Sequence, residues 1–288
     1  MRAEWVSSSE AQAYWPQLPY ASEPFSEWEW WSRLGLSWGA LLIETNGTLI
    51  AGLPLAYRQI GPLHLYRQPL GSPWSAFRLH APLPEPKPER YRLISHVLSA
   101  IAAWVRRRHL SYVAGHLSPE WSYLPPLRHL QVRGSGSFII EPGAFVPSQE
   151  LLRKVRQAHH FPLRSLAPAE GFTWWAAHRP PGVSSQLAAQ LRQLIQIEGL
   201  WQVLGIGEPL EAVCLLLIGK DRVWYMAGAQ RRTPQAMTRL LYEAILFAQN
   251  SGKVFDFCGS ILPGVERFFR QYGGRWECRY FVSAWRVW

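Results

Sequence analysis

Apolar and polar positions in the C-terminal half follow helical and strand-like spacing in a regular order. Leucine and isoleucine residues recur at helical spacing over Ser185–Glu198, which predicts a helix. Dense apolar runs then predict strands at Leu200–Ile206, Pro209–Gly219 and Arg222–Ala229, with Lys220-Asp221 as a tight turn between the last two. This half therefore opens with a helix followed by strands that lie close together along the chain.

A second helix and a short strand follow. Thr233 suits the N-cap, Pro234 suits the first helical position, and Gly252 suits the end of the helix. Val254–Phe257 is then predicted as a short buried strand. One face of the predicted helix is apolar and carries Met237, Leu240, Leu241, Ala244, Ile245 and Ala248.

The N-terminal half repeats this order of elements. Trp28–Leu34 is a helix candidate, and Asn46-Gly47 between two apolar runs is a strong hairpin signal. The predicted strands are Trp38–Glu44, Leu49–Gln59, Leu63–Gln68 and Leu110–Ala114. Between the last two strands lies a predicted helix, whose apolar face carries Ile94, Val97, Leu98, Ile101, Trp104 and Val105.

The two halves also match at a constant offset along the sequence. The shift that brings Gly115 to Gly259 brings Pro119 to Pro263. Two matched residues alone are a weak signal, but the shared order of elements favours a duplicated domain.

The duplication predicts a mixed α/β fold with two domains. Proline and glycine residues concentrate within residues 138–149 and indicate a boundary, which gives an N-terminal domain at 1–140 and a C-terminal domain at 141–288. Each domain is expected to be a mostly antiparallel mixed sheet flanked by helices. The last strand, Trp276–Trp285, is rich in aromatic and β-branched residues and is expected to close the second sheet.

Composition narrows the range of partners. The 288 residues are 48% hydrophobic and 17% charged, so the chain can bury a large core and is not disordered. A net charge of +10 favours anionic partners such as nucleic acid, phosphorylated carriers or anionic lipid heads, although a basic soluble protein without such a partner fits equally well. We expect neither a disulfide framework nor a metal site, because Cys214, Cys258 and Cys278 form no CxxC pair.

The start of the sequence predicts neither a secretion signal nor a membrane anchor. Glu4 and Glu10 lie in the first residues, which lack the apolar core region of a signal peptide. The longest apolar run, around Ala212–Gly219, is far too short to span a bilayer. A cytoplasmic location without a transmembrane segment is expected, and contact with the inner membrane surface stays open.

The segment Val254–Gly274, VFDFCGSILPGVERFFRQYGG, carries the most chemical information. It predicts a strand, a turn at Gly259-Ser260 and a helix that ends at two glycines, and ligand sites are common where a strand leads through a polar turn into a helix. DFCGS at Asp256–Ser260 and FFRQYG at Phe268–Gly273 resemble the DFGGS and FKxxFG patterns of the FemAB-like or dual-GNAT acyltransferases, relatives of the Fem-type peptidyltransferases.

Further segments carry the same resemblance, namely Glu211–Gln230, Leu240–Gly252 and Pro24–Gly35. The resemblance implies two tandem GNAT-like domains. It also implies an acyltransferase that moves an acyl or aminoacyl group from acyl-CoA or aminoacyl-tRNA to an amine or hydroxyl. A cell-envelope precursor is one possible acceptor, and charged tRNA is a possible partner. The sequence leaves the oligomeric state open.

Two departures from the family pattern weaken the expectation of catalysis. The lysine of FKxxFG, which is associated with catalysis in the peptidyltransferases, corresponds to Phe269. Where acetyl-CoA-using relatives have a glycine-rich loop before the helix, this chain has AQRRTPQA at Ala229–Ala236. Arg231 and Arg232 in that loop are candidate phosphate ligands, or they form a solvated basic turn.

The resemblance places the donor in a gap between two neighbouring strands that splay apart, here Met226–Ala229 and Phe255–Phe257. Small residues in the first strand would let a thin carrier arm lie against the backbone, and they are Ala227, Gly228 and Ala229. Candidate catalytic residues are Asp256, Tyr225 and Tyr272. Capping the turn that follows it is a slightly better supported role for Asp256, and a place in the core or on a strand face is the more common role of such tyrosines.

Other residues are candidates for carrier or substrate binding. Gly259 and Ser260 form the turn, and Arg270 follows Phe269. Arg153, Lys154 and Arg156 resemble the basic helix that contacts anionic substrate in relatives, although a solvated helix face is the more common meaning of such a run.

Competing functions remain open from the sequence. A non-catalytic relative that binds an anionic ligand or partner is the main alternative, supported by Phe269 and by the missing glycine-rich loop. A nucleic-acid-binding protein rests on charge alone, because no recognised RNA- or DNA-binding motif is present. Cys258 as a nucleophile lacks a base nearby in the sequence, and His159-His160 lacks partner metal ligands.

Overall fold

The computed structural model describes residues 1–21, 23–85, 87–121, 130–259 and 263–286. The chain divides into two compact units, Met1–Ser135 with Cys278–Trp288 and Gly136–Glu277. The division of the sequence into duplicated domains at 1–140 and 141–288 stays a prediction. Within the described residues, no helix is both long and apolar enough to cross a bilayer.

Both units contain helices and strands. The helices are α1 Ser8–Tyr14, α2 Trp28–Arg33, α3 Lys87–Arg107, α4 Gln149–Gln157, α5 Pro168–His178, α6 Ser185–Leu194, α7 Pro234–Asn250 and α8 Pro263–Arg270. The strands are β1 Arg2–Ser7, β2 Trp38–Thr45, β3 Thr48–Ile60, β4 Leu63–Arg67, β5 Arg78–Leu79, β6 Ser111–His116, β7 Gln131–Ile140, β8 Leu163–Leu166, β9 Trp201–Ile206, β10 Ala212–Ile218, β11 Arg222–Gln230, β12 Val254–Asp256 and β13 Arg275–Arg286.

The first unit is a mixed sheet covered by α3. Its strand order is β1-β2-β3-β4-β6-β13, with β4 parallel to β6 and the other neighbouring pairs antiparallel. The β2–β3 hairpin turns at Asn46 and Gly47, both with positive φ, as predicted. The apolar face predicted for α3 is buried against the sheet.

The second unit has the same kind of sheet. Its order is β7-β12-β11-β10-β9-β8, with β11 parallel to β12 and α7 as the crossover between them. Cys214 and Leu216 of β10 pack in the same core as the predicted apolar face of α7. Val213 and Leu215, which alternate with them, are also wholly buried, so β10 is covered on both faces.

The last strand follows its prediction in part. Residues 275–277 of β13 belong to the second unit, and β13 neighbours β7 in the strand order, as expected of a strand that closes the second sheet. Residues 281–286 pair antiparallel with β6 and belong to the first unit, which the sequence did not predict. Backbone ladder bonds are alike in all strands, so an apolar strand pattern does not identify its partner.

Some elements were not predicted. Phe138–Ile140, placed in the boundary by the sequence, forms the end of β7, where Ile140 pairs with Phe255 of β12. The strands β1 and β8 and the helices α1 and α5 were also missed. β1, β8 and α1 are short, and α5 carries Gly171 among its aromatic residues, which hides the helical period.

The turn before β13 gives a stability prediction. Gly273 and Gly274 both have positive φ, but only at Gly274 would a Cβ meet backbone, 2.5 Å from the Ile139 carbonyl oxygen. We expect Gly273→Ala to cost about 1 kcal/mol through backbone conformation alone. Gly274→Ala should cost about 1–3 kcal/mol more, because the backbone must also move. Urea unfolding monitored by fluorescence compares the two variants, and equal losses of stability would contradict this account.

Candidate functional site

The parallel pair at the centre of the second unit separates abruptly. β11 and β12 pair over only three positions, Arg222 with Val254, Val223 with Phe255 and Trp224 with Asp256. β11 then continues alone on this side to Gln230, while β12 ends. A β-bulge at Met226, which has no counterpart between Leu215 and Leu216 of β10, adds a bend. One edge of β11 is thereby left without a strand partner from β12.

A buried network around Asp256 marks the end of β12. Asp256 is wholly buried, and its Oδ2 accepts a hydrogen bond from Arg222 at 2.8 Å. Its Oδ1 accepts from the Cys258 backbone N–H and from Ser137 Oγ, both at 2.8 Å. Arg222 also donates to both carboxylate oxygens of Glu277, at 2.8 and 3.1 Å. Every charge in this group therefore has an opposite partner, as burial requires.

The network holds Arg222 in its charged form. Burial opposes the charge, but hydrogen bonding to Glu277 and the negative charges of Asp256 and Glu277 outweigh it and raise the pKa of the guanidinium above its usual value. Arg222 therefore stays protonated at any physiological pH.

Ser137 completes the turn that follows Asp256. Its Oγ accepts a hydrogen bond from the Gly259 backbone N–H at 2.8 Å. Cys258 and Gly259 both have positive φ, and a Cβ on Gly259 would lie 2.7 Å from the Gly136 carbonyl oxygen. The turn thus needs glycine at this position. Ser137 and Glu277 were missed by the sequence analysis, because their spacing from Asp256 carries no local signal.

A cavity of about 520 Å³ lies against the unpaired stretch of β11. Its volume falls in the usual range of small-molecule sites, about 300–1,000 Å³. Its walls come from four elements, and they include Tyr225 and Gly228 of β11, Met237 of α7, Phe269 of α8 and Lys154 of α4. The small residues Gly228 and Ala229 of β11 also line it.

Tyr225 lines this cavity, and its hydroxyl lies next to Gly228, another lining residue. Within the part of the chain that the structure describes, no hydrogen bond to this hydroxyl is found. A Cβ on Gly228 would overlap the hydroxyl, so the glycine makes room for it. Burial, and to a lesser extent the neighbouring Cys214, raises the pKa of Tyr225 above its usual value. The group therefore remains a neutral hydrogen-bond donor.

Positive charge lies on one side of the cavity. Arg153 and Lys154 of α4 line it, and both pair with the single carboxylate of Glu150, at 2.9 and 3.6 Å. Lys154 Nζ also donates to Gln271 Oε1 at 3.2 Å. The first turn of α7, which contributes Pro234 to the wall, contains no acidic residue. This side of the cavity is suited to an anion.

Several predicted site residues lie elsewhere. Asp256 is occupied by its buried partners, which favours the turn-capping role left open by the sequence. Tyr272 is buried and donates to the Thr238 carbonyl oxygen at 3.0 Å, and burial raises its pKa. Arg270 pairs with Glu266 on the surface, and Arg156 donates to the Leu152 carbonyl oxygen.

The remaining predicted residues divide in the same way. Arg231 donates to His178 Nε2 at 3.1 Å, and neither it nor Arg232, Ala227 or Gly259 is among the described residues that line the cavity. Ser260 lies outside the described residues. Predicted residues that do line the cavity are Tyr225, Gly228, Ala229, Arg153 and Lys154. Their roles stay predictions.

Phe269 belongs to an aromatic core. Its ring lies 4.6 Å from that of Phe257 and 5.8 Å from that of Tyr225, and the residue is 3% exposed. A lysine at this position would bury a charge among rings, which is costly without a partner. The uncharged ring of Phe269 avoids that cost, and it forms part of the cavity wall.

Comparison with known proteins places the fold. No family model matches the chain and no curated protein matches it. The solved structure of FemX matches with a TM-score of 0.63 at 10% identity, covering 98% of this chain and 97% of that one. L-PGS from Bacillus licheniformis matches with a TM-score of 0.58 at 10% identity, covering 97% and 91%.

A tandem GNAT protein from the clavulanic acid biosynthesis pathway matches with a TM-score of 0.52 at 12% identity, covering 98% of both chains. Likeness at such low identity concerns the fold alone. At that level the FemAB-like resemblance and the mixed α/β fold class with GNAT-type topology, both predicted from the sequence, are confirmed.

The buried network gives a second prediction. We expect Asp256→Ala to lower the free energy of unfolding by about 1–3 kcal/mol, because Arg222, Ser137 and the Cys258 N–H each lose one buried hydrogen-bond partner, while Arg222 keeps its pairing with Glu277. Glu266→Ala, which removes the exposed partner of Arg270, should cost less than about 1 kcal/mol. Chemical denaturation measures both variants. A loss at Asp256 as small as that at Glu266 would show that the network does not stabilise the strand end.

Proposed function

We propose that this chain is an acyltransferase that moves an acyl or aminoacyl group from an activated carrier to an amine or hydroxyl acceptor. The observation that carries the proposal is the cavity against the free edge of β11, which Tyr225, Arg153 and Lys154 line. The confirmed fold supports it by analogy only. Acyl-CoA and aminoacyl-tRNA are the candidate carriers.

Each part of the cavity has a task in such a reaction. The cations on α4 would bind the phosphate of the carrier. The backbone of β11 at Gly228 would offer its polar groups to a thin carrier arm. The Tyr225 hydroxyl would donate a hydrogen bond to the carbonyl oxygen, where negative charge develops in the transition state.

Bond changes in the proposed reaction are simple. The acceptor nitrogen or oxygen bonds to the donor carbonyl carbon, and the bond from that carbon to the sulfur or oxygen of the carrier breaks. The acceptor loses its proton to water or to a base, and the carrier leaves as a thiol or hydroxyl after taking up a proton. Positioning of the acceptor accounts for much of the rate that such sites provide.

A non-catalytic binding protein is the second candidate. It is favoured by Phe269, which stands in the aromatic core where relatives are expected to have a lysine. It is also favoured by Asp256, whose buried partners occupy both carboxylate oxygens. A binder would still use the cations at the cavity, so binding alone does not separate the two functions.

Ligand titration followed by a turnover assay tests the proposal. We expect acetyl-CoA or an aminoacyl-tRNA to raise the thermal unfolding midpoint, because a ligand that binds the folded state stabilises it. With a panel of amines and hydroxyl compounds present, the bound donor should release its carrier. Stabilisation by a donor without release for any acceptor would favour the binding protein, and no stabilisation by either donor would contradict the proposal.

Tyr225 gives a third prediction on the same site. We expect Tyr225→Phe to lower kcat by about 100-fold or more, because it removes the donor to the developing oxyanion. Stability should change little, since the hydroxyl has no described hydrogen bond to lose. The matched control is Tyr242→Phe in the same core but outside the described cavity lining. Equal activity in the two variants would remove Tyr225 from the mechanism.

A further inference from the structure

The C-terminal end of α4 is held by one side chain of α7. Arg239 donates hydrogen bonds through a single nitrogen, Nη1, to three backbone carbonyl oxygens. They belong to Ala158, His159 and Phe161 and lie at 2.9, 2.6 and 2.8 Å. Carbonyl groups at the end of a helix lack helical partners, and a positive charge beside them is favourable. Arg239 therefore fastens this chain end to α7 at three points.

The second half of α4 has few other anchors. The helix has nine residues, and a helix of that length is marginal without contacts to the rest of the fold. All nine residues are described, and Leu151 near the start is the one that is buried. Val155 is partly buried against the core that α7 also faces. The position of the C-terminal end of α4 thus depends on the hydrogen bonds from Arg239.

The same helix brings positive charge to the cavity. Arg153 and Lys154 line the cavity, and so does Gln157, the last residue of α4. Arg239 is not among the described lining residues, whereas its neighbour Thr238 is. α7 thus lines the cavity with one side and holds α4 with another. A shift of α4 relative to α7 would move both cations relative to the cavity.

The first unit lacks an arginine at the matching position. The offset that brings Gly115 to Gly259 brings Ser95 of α3 to Arg239 of α7. A serine has neither the length nor the charge to hold the end of another helix. The cavity of that unit has a volume of only about 30 Å³. The arginine therefore occurs in the unit that has the larger cavity.

We propose, on the basis of the acyltransferase function above, that Arg239 is a positioning residue for the carrier. It fixes the end of α4 to α7 and thereby holds Arg153 and Lys154 where they meet the carrier phosphate. Charge-assisted hydrogen bonds need close and well-aligned partners, so a displaced α4 would lose them although both cations are still present. Arg239 touches neither carrier nor acceptor, and it acts on binding and not on the bond changes.

Hydrogen exchange tests whether Arg239 holds α4. We expect Arg239→Met to speed amide exchange in residues 153–161 at least about tenfold, because local opening costs less once the helix end is released. Lys253→Met is the matched control, since Lys253 also donates to a carbonyl oxygen, that of Gly219 at 2.7 Å, beyond the other end of α7. It should leave exchange in residues 153–161 unchanged. Unchanged exchange in Arg239→Met would overturn the proposal.

A double-mutant cycle separates positioning from a general loss of stability. Acetyl-CoA and aminoacyl-tRNA are both titrated by calorimetry, because both carriers bear phosphate. We expect Arg239→Met to weaken donor binding at least about tenfold and to raise KM in proportion, with kcat within about threefold of the wild-type value. Lys253→Met should leave both constants unchanged.

The second background of the cycle combines Arg153→Gln with Lys154→Gln. There, the addition of Arg239→Met should change Kd by less than about twofold, because the cations that Arg239 positions are already gone. An equal loss of binding in both backgrounds would show that Arg239 acts elsewhere and would overturn the proposal. Arg239→Lys repeats the measurements should Arg239→Met not fold, since its shorter side chain should not reach all three carbonyl oxygens.

The same titrations separate this inference from the function on which it rests. A donor that is bound and turned over equally well by the wild type and the Arg239 variants would overturn the positioning role and leave the acyltransferase function standing. Wild-type protein that binds neither donor would overturn both. Turnover by the wild type, together with weaker donor binding in Arg239→Met that disappears in the second background, would support both.

Discussion

The ion pair between Arg222 and Asp256 is the interaction on which the site depends. It joins the parallel strands β11 and β12 at the short stretch over which they pair. Because Asp256 is wholly buried, its charge is tolerable only with Arg222, Ser137 and the Cys258 N–H as partners. These partners define where β12 stops and the chain turns away. β11 then continues alone, and the cavity lies against its free edge.

Aromatic packing forms the cavity wall at Phe269, the position at which relatives are expected to carry a lysine. Phe269 packs on Phe257, and Tyr272 reaches from the end of α8 to the Thr238 carbonyl oxygen on α7. α8 is thereby held by apolar contacts and one buried hydrogen bond. The positive charge at the cavity lies on a different helix, α4. Its Lys154 lines the cavity and donates a hydrogen bond to Gln271, just beyond α8.

The first unit shows what happens without the acidic strand end. Tyr112 stands where the sequence offset places Asp256, and β4 and β6 stay paired through Arg67 and Ala114. Gln68 N–H extends this pairing by donating to the Ala114 carbonyl oxygen at 3.0 Å. The cavity beside these residues has a volume of only about 30 Å³, too small for a carrier. The contrast supports a site in the second unit.

Local sequence determined most helices and strands, because side-chain period and turn preference act over a few residues. The sequence predicted the apolar faces of α3 and α7 and the Asn46-Gly47 turn. It also predicted Tyr225, which lines the cavity, as a site residue. Tertiary structure decided the rest. Ser137 completes the Asp256 network from 119 residues away, and β13 pairs with β6 although any strand offers the same backbone bonds. The cavity is likewise a tertiary property, since its walls meet only when α4, α7, α8 and β11 pack together.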